Sequence, residues 1–290
     1  MNKRVLILGI TGMLGHTCFE YFKELNGFET YGTWRNPAEK HIRTFDALNG
    51  SIGEIVDRIK PDWIINCIGV IKQKIDEADQ VSAANTFRIN EVFPKELAEI
   101  VAGTQVKVIQ IATDCVFNGL DGQYDETSPH NAIDIYGKSK SLGEIVAPEF
   151  MNLRASIIGR EVKSNFSLVD WFLSQDFGAQ VNGYSNHLWN GITTTAFAKI
   201  AAGIAQSDNF VSGTYHIAPS DIVSKYELLE LLKKYFDRED ILIRSVDTST
   251  HVDRTLRTIH PELNRNLWRQ AGYRSIPSIE ELVEELKFTI

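Results

Sequence analysis

The sequence predicts an α/β fold, a doubly wound parallel sheet with a smaller C-terminal lobe. Three observations carry that expectation. Short apolar runs alternate with helical patterns as far as about residue 160, and the first run opens into a glycine-spaced turn. From Gly159 onward the pattern grows less regular, more polar and more aromatic, with Trp171, Tyr184 and Trp189. At 290 residues the chain exceeds the usual size of one domain. The expected main domain covers 1–160 with a return around 186–212, and the lobe takes 161–185 and 213–290.

The elements follow in order. Arg4-Val-Leu-Ile-Leu-Gly9 is a short apolar run, read as a buried strand. It enters Gly9-Ile-Thr11-Gly12-Met13-Leu14-Gly15, and an amphipathic helix pattern follows over Leu14–Leu25. Strand, glycine turn and helix form the dinucleotide-phosphate arrangement of a Rossmann-type domain. Glycines let the backbone turn sharply and approach a pyrophosphate, and the helix start offers free N–H groups and partial positive charge. The spacing is G-x-x-G-x-x-G, not the standard G-x-G-x-x-G. An incidental helix cap is the poorer account of it, because a strand comes first.

The second strand, Phe28–Thr33, ends in Trp34-Arg35 with no acid, where an NAD site usually places Asp or Glu for the ribose. Arg35 suits a 2′-phosphate, so NADPH is favoured and NADH stays open; an ordinary surface charge is the alternative for Arg35. Asp46, followed by Ala47, stands at the next strand end, placed to accept from an adenine amine. Ile52, Ile55, Val56 and Ile59 recur at helical spacing, with Ser51 as N-cap. Pro61–Gly69 reads as a strand into a glycine loop that sets Cys67, Ile68 and Gly69 beside the dinucleotide. Glu91–Val101 reads as a helix, and Val106–Ala112 as a strand carrying Ile111 near its end. Asn152–Ala155 is expected to close the main sheet, and Ser278-x-x-Glu281 signals a last helix through a capping box.

The chemistry is expected at Tyr136 and Lys140, in Ile135-Tyr-Gly-Lys-Ser-Lys140. Residues four apart on a helix point the same way, so a phenol and an ammonium can share one site. A phenol ionises only near pH ~10 in water, and an adjacent fixed positive charge brings it into range as a proton donor or acceptor. By itself the pair is weak evidence, since an aromatic against the core beside a solvated lysine is common.

Composition narrows the class. The net charge of −8 and the lack of a basic cluster argue against a nucleic-acid partner. No apolar run reaches transmembrane length, so no membrane is expected. The apolar start at Val5 is short and no small-residue cleavage site follows, so it is not read as a signal peptide. Cys18, Cys67 and Cys115 are scattered, which fits a reducing cytoplasm and gives no metal motif.

These motifs, in order, are Gly9-x-x-Gly-x-x-Gly15, Asn66-Cys-Ile-Gly69, Thr113-Asp-Cys-Val-Phe117, Gly122-x-Tyr-x-Glu126, Tyr136-Gly-Lys-Ser-Lys140 and Leu153-Arg154. Together the set resembles the extended short-chain dehydrogenase/reductases, and more narrowly the dTDP-4-dehydrorhamnose reductase family. The resemblance implies that Thr113 binds a keto oxygen, Tyr136 protonates it, and Lys140 holds the nicotinamide ribose and lowers the tyrosine pKa. It implies that Asn90 supports the active-site helix. The implied reaction is NADPH-dependent reduction at C4 of a nucleoside-diphosphate 4-keto-6-deoxy sugar, in deoxysugar synthesis for surface polysaccharide. A homodimer is common among such proteins.

Departures from the family pattern keep alternatives open. Cys115 stands where the rhamnose enzymes commonly have tyrosine. GDP-fucose synthases place an epimerising cysteine there, whereas a small buried apolar residue is the plainer account. Val181–Thr193 also departs from the rhamnose pattern, leaving a UDP-2-acetamido-2,6-dideoxy-hexulose as a second substrate. Thr113, Asp114, Cys115, Asn165 and Arg254 are the substrate candidates. Arg254 is proposed for the diphosphate because guanidinium binds phosphate oxygens in pairs, with a surface ion pair to Asp253 as its alternative. His187 is left out of the catalytic set. The regulatory subunit of methionine adenosyltransferase resembles the same family, so a non-catalytic NADP-binding module is the hypothesis of another class.

Overall fold

The structure is a computed structural model that describes residues 2–35, 41–162 and 166–288. It opens with β1 (Lys3–Leu8), whose last four residues are fully buried. A glycine turn leads into α1 (Met13–Glu24), and β2 (Phe28–Trp34) and β3 (Ile42–Thr44) follow on the same side. After α2 (Ile52–Ile59) the chain crosses to β4 (Trp63–Asn66), buried at every position as a strand covered on both faces must be. Next come α3 (Gln80–Phe87), a single π-helical turn at Arg88–Val92, α4 (Phe93–Val101) and β5 (Lys107–Ala112). Then α5 (Ile135–Leu142) leads to β6 (Phe150–Arg154).

The second part supplies β7 (Ile157–Ile158), α6 (Leu168–Leu173), β8 (Gln180–Tyr184), β9 (His187–Trp189), β10 (Ile192–Thr193) and α7 (Thr194–Ser207). It continues through β11 (Gly213–His216), β12 (Val223–Ser224), α8 (Lys225–Tyr235), β13 (Leu242–Val246), β14 (Val252–Asp253), α9 (Pro261–Gln270) and α10 (Ile279–Leu286).

The main sheet has seven strands in the order β11-β6-β5-β4-β1-β2-β3, every neighbouring pair parallel. This is the doubly wound Rossmann architecture the alternation predicted. Strand order reverses between β1 and β4, so the crevice beyond their C-terminal ends is the switch point where such sheets bind ligands. One apolar layer packs α1, α7 and Trp268 of α9 on one face; a second packs α2 and α4 on the other. A third core, from Trp189, α6, α8 and α10, holds the lobe together.

Three local expectations are corrected. β6 does not close the sheet: β11 pairs outside it, with Gly213 opposite Met151 through His216 opposite Arg154. α7 packs on this sheet and β11 joins its edge. Ser51 is the N-cap of α2 without a side-chain hydrogen bond, so that helix starts on its buried Ile52, Ile55, Val56 and Ile59 alone. The helix expected from Glu91 begins instead at Phe93, with Pro94 in its first turn and the π turn before it. The box at Ser278 and Glu281 does cap α10 reciprocally.

Candidate active site

The glycine turn lies where β1 meets α1. Gly9 has φ +82°, a left-handed conformation natural to glycine, and its N–H donates to Thr33 Oγ1 at 3.0 Å. Gly15 has no room for a side chain: a Cβ there would sit 2.2 Å from the Gly9 carbonyl oxygen. Gly12 caps α1 with no side-chain hydrogen bond, and the first turn of α1 contains no acid. Thr11 lies in this turn, and Met13 and Leu14 open α1. The free N–H groups and the close backbone approach suit a pyrophosphate.

Around it, Arg35 is exposed just beyond β2, and the Asp46 carboxylate accepts the Leu48 N–H at 3.0 Å. Ala47 is buried beside it. Past β4, the Cys67 N–H donates to the Leu8 carbonyl at 3.2 Å, and Ile68 packs on Gly9 so that these two strand ends lie side by side. Gly69 lies against Asn90.

Asn90 is 2 % exposed and tied on three sides. Its side-chain oxygen accepts the Val70 N–H at 2.8 Å, and its amide donates to the Val70 carbonyl at 3.1 Å and to Ser139 Oγ at 3.0 Å. Ser139 in turn donates to the Tyr136 carbonyl at 2.9 Å, so Asn90 joins the loop after β4 to the middle of α5. Asp134 caps α5 by accepting the Gly137 N–H at 2.7 Å. Close packing then sets the register: a Cβ on Gly137 would lie 2.3 Å from the Cys115 carbonyl, and one on Gly143 1.8 Å from the Asn90 carbonyl. These glycines let α5 settle against the end of β5.

That contact brings Thr113 and Tyr136 together. Thr113 lies close enough to the Tyr136 phenol to favour its ionised form, while its own hydroxyl donates to Asp114 Oδ1 at 3.2 Å. Lys140 lies on the same helix and donates to the Ile111 carbonyl, two residues before Thr113, at 3.0 Å. Burial lowers the Lys140 ammonium to about 8, against the pull of Glu144 and Cys67. Burial also pushes the Tyr136 phenol up; Cys115, Asp114 and Asp134 add to this, and only Thr113 opposes them. The direction is opposite to the lowering expected from Lys140: desolvation of the phenolate is the largest effect, and Lys140 is not among the leading groups acting on it.

Two cations approach from the lobe. Arg254, just after β14, donates from Nε to the Phe117 carbonyl at 3.0 Å and from Nη2 to the Asn118 carbonyl at 3.3 Å. Its charge acts on Asp114, Cys115 and Asp134. It is not a surface partner of Asp253, whose carboxylate accepts from Thr255 instead. Lys225, the first residue of α8, sits 5.1 Å from the centre of the Trp189 ring and interacts with Asp114 and Cys115. Burial lowers it to about 8. Nothing in the sequence reading singled it out, although the capping box Ser224-x-x-Glu227 was legible and fixes where α8 begins.

Asp114 is buried, and its carboxyl is raised by desolvation in spite of Arg254 and Lys225. Burial, then Asp114, pushes the Cys115 thiol up to about 12, so it stays protonated at neutral pH. His187 is engaged by Thr248 Oγ1 at 2.9 Å and packs on Tyr184. Asn165 lies outside the described residues. Among the described residues no group of His, Cys, Asp and Glu gathers as a metal site, and no helix is long and apolar enough to cross a membrane.

Comparisons with known proteins accord with this geometry. The family model RmlD substrate binding domain matches residues 3–288. Methionine adenosyltransferase 2 subunit beta of Xenopus tropicalis is 26 % identical over 283 residues, covering 93 % of this chain and 83 % of that protein. The dTDP-4-dehydrorhamnose reductase of Aggregatibacter actinomycetemcomitans is 27 % identical over 233 residues, covering 77 % and 76 %. Among solved structures, dTDP-4-dehydrorhamnose reductase from Bacillus anthracis in complex with NADP superposes with a TM-score of 0.78 at 22 % identity, covering 99 % of both chains.

Proposed function

The chain belongs to the RmlD substrate binding domain family, and from that premise we propose that it is an NADPH-dependent reductase of the C4 keto group of a nucleoside-diphosphate 4-keto-6-deoxy sugar. The observation that carries this reading is the close packing of α5 on the chain just past β5, which brings Tyr136 to Thr113 at the same C-terminal end of the sheet as the Gly9–Gly15 turn. Bound NADPH supplies the hydride. The glycine turn and the start of α1 hold the pyrophosphate, Arg35 the 2′-phosphate, and Asp46 and Ala47 flank the adenosine end. Cys67, Ile68, Gly69 and Ile111 line the path to the reacting end, and Lys140 holds the ribose there.

Thr113 turns its hydroxyl from Asp114 Oδ1 to the C4 oxygen when the keto sugar is bound, and Tyr136 gives that oxygen a proton as the C=O bond becomes C–OH. Donors that meet charge developing only in the transition state accelerate the reaction. The phenol carries its proton at neutral pH, as the donor in the reductive direction must. A thiol held at about 12 is a poor base, so reduction without epimerisation is preferred. Arg254, with Asp114 and Cys115 around the sugar, faces the substrate diphosphate. We place the protein in the cytoplasm, supplying a deoxysugar for surface polysaccharide, with a homodimer as its state.

The test is oxidation of NADPH against a panel of 4-keto-6-deoxy sugar nucleotides that includes the UDP-2-acetamido-2,6-dideoxy-hexulose. Turnover by the wild type, lost in Tyr136→Phe with NADPH binding retained, is the expected result. The likeness to methionine adenosyltransferase 2 subunit beta supports a second reading, a non-catalytic NADP-binding partner of another chain. No turnover on any sugar, with tight binding to a partner protein, decides for it.

A further inference from the structure

Behind the site, at the C-terminal end of β6, lies a buried charged group that the reaction above does not use. Arg154 is 2 % exposed and every arm is engaged. It donates to Glu144 from Nε at 3.0 Å and from Nη2 at 2.6 Å, to His130 Nε2 from Nη2 at 2.8 Å, and to His216 Nε2 from Nη1 at 2.6 Å. Both imidazoles must be neutral to accept, since a protonated ring has no lone pair for a guanidinium.

Two routes lead from this hub to one short segment of the lobe. Through His216, the Nδ1–H reaches the Arg257 carbonyl at 2.7 Å, while the His216 backbone N–H donates to Glu126. Glu126 also accepts from Thr258 Oγ1 at 2.5 Å and from the Ile259 N–H at 2.9 Å. Through Phe117, the guanidinium lies 5.2 Å from the ring centre, and that ring stacks on Tyr124 at 4.3 Å. Tyr124 exchanges backbone hydrogen bonds with Thr255 and Arg257, and the Phe117 carbonyl accepts Arg254 Nε. Both routes converge on residues 252–258, which carry Arg254.

We propose that Arg154 is a positioning residue: from the far side of β6 it holds the 252–258 segment, and with it Arg254, in place over the substrate site. The partners of Arg154 are Glu144, His130, His216 and the Phe117 ring, so in this role it acts through the relay. The role rests on the nucleotide-sugar reading for its consequence, and on the hydrogen bonds alone for its mechanics. A buried fork with four acceptors resists substitution, since lysine offers one point charge where the guanidinium offers five directed N–H donors.

The experiment uses the full-length chain in three variants: Arg154→Lys, His216→Leu and Arg254→Ala. His216→Leu keeps the Arg154–Glu144 pair, so the relay is cut even where Arg154→Lys does not fold. Hydrogen exchange is read first, because it needs no substrate. The expected result is faster exchange at 252–258 with β1, β4 and β5 unchanged; uniform loss of protection or none overturns the proposal. Steady-state kinetics follow. KM for the keto-sugar nucleotide should rise about tenfold, the scale of one charge-assisted hydrogen bond, with kcat and NADPH affinity held. Adding His216→Leu to Arg254→Ala should raise it no further, because the relay acts on KM only through Arg254. Additive effects, or a loss of kcat and NADPH affinity together, overturn the positioning role. A wild type that turns over no keto sugar overturns the reductase reading instead, and the exchange result still judges Arg154.

Discussion

At the residue scale the site is built from groups whose neighbours decide their protonation. Tyr136 keeps its proton because burial outweighs every favourable contact, and on the proposed reading deleting its hydroxyl removes the proton destined for the C4 oxygen. Tyr136→Phe is expected to lower kcat by roughly 10²–10⁴, the contribution of a positioned general acid, while the NADPH dissociation constant stays within about twofold. Stopped-flow hydride transfer and cofactor titration check both halves. Gly15 is constrained by space alone. In Gly15→Ala the new methyl meets the Gly9 carbonyl at 2.2 Å, and backbone on that side cannot swing away as a side chain would. The expected outcome is a stability loss of about 1–3 kcal/mol and NADPH binding weakened at least tenfold, by thermal melts and titration. Arg35 is exposed and its effect is selective: Arg35→Ala should raise KM for NADPH about tenfold and leave KM for NADH unchanged, since only the former carries the 2′-phosphate.

At the element scale, α8 shows how a cap places a buried charge. Ser224 accepts the Glu227 N–H at 3.1 Å and Glu227 accepts the Ser224 N–H at 2.6 Å, which fixes Lys225 as the first helical residue, facing Asp114. Ser224→Ala should cost about 1 kcal/mol of stability and raise KM for the nucleotide sugar, and a denaturant titration beside initial rates reads both. What the sequence disclosed follows the same logic. β1, the glycine turn, α1 and α5 were legible because each is specified locally, by an apolar run, by φ or by helical spacing. The Thr113–Tyr136 pair was legible through the resemblance of its motifs. Lys225, β11 and the relay through His216 were not, because their partners lie far along the chain: Lys225 meets Asp114, and β11 meets β6 across an intervening lobe. Such pairings leave no period in the sequence. The direction of the Tyr136 shift was hidden for a related reason, since a helical spacing reveals a neighbouring charge but not the loss of water.

At the scale of the whole molecule, the two parts are joined by a polar hub whose geometry requires neutral histidines, and this makes the junction sensitive to acid. Burial, then Arg154, depresses His216 from the usual 6.5 to about 4, and burial moves His130 in the same direction. Between those two values the unfolded chain binds a proton that the native one refuses. Unfolding therefore becomes easier as pH falls from 6.5 towards 4, and the contribution is fully present above 6.5. The expected loss from His216 is a few kcal/mol across that window, on the scale of ~1.4 kcal/mol per pKa unit. Glu144 faces the hub from the end of α5 and Glu126 from the loop before it; both favour the charged rings and so blunt the effect without reversing it. In the wild type the melting temperature should fall between pH 7 and pH 5, and in His216→Leu the fall should be shallower although that variant melts lower at pH 7. Calorimetry at matched ionic strength measures the two slopes. Equal slopes would show that the acid response arises elsewhere, and that the hub joins the parts by packing of Phe117 and Tyr124 and not through the protonation state of its rings.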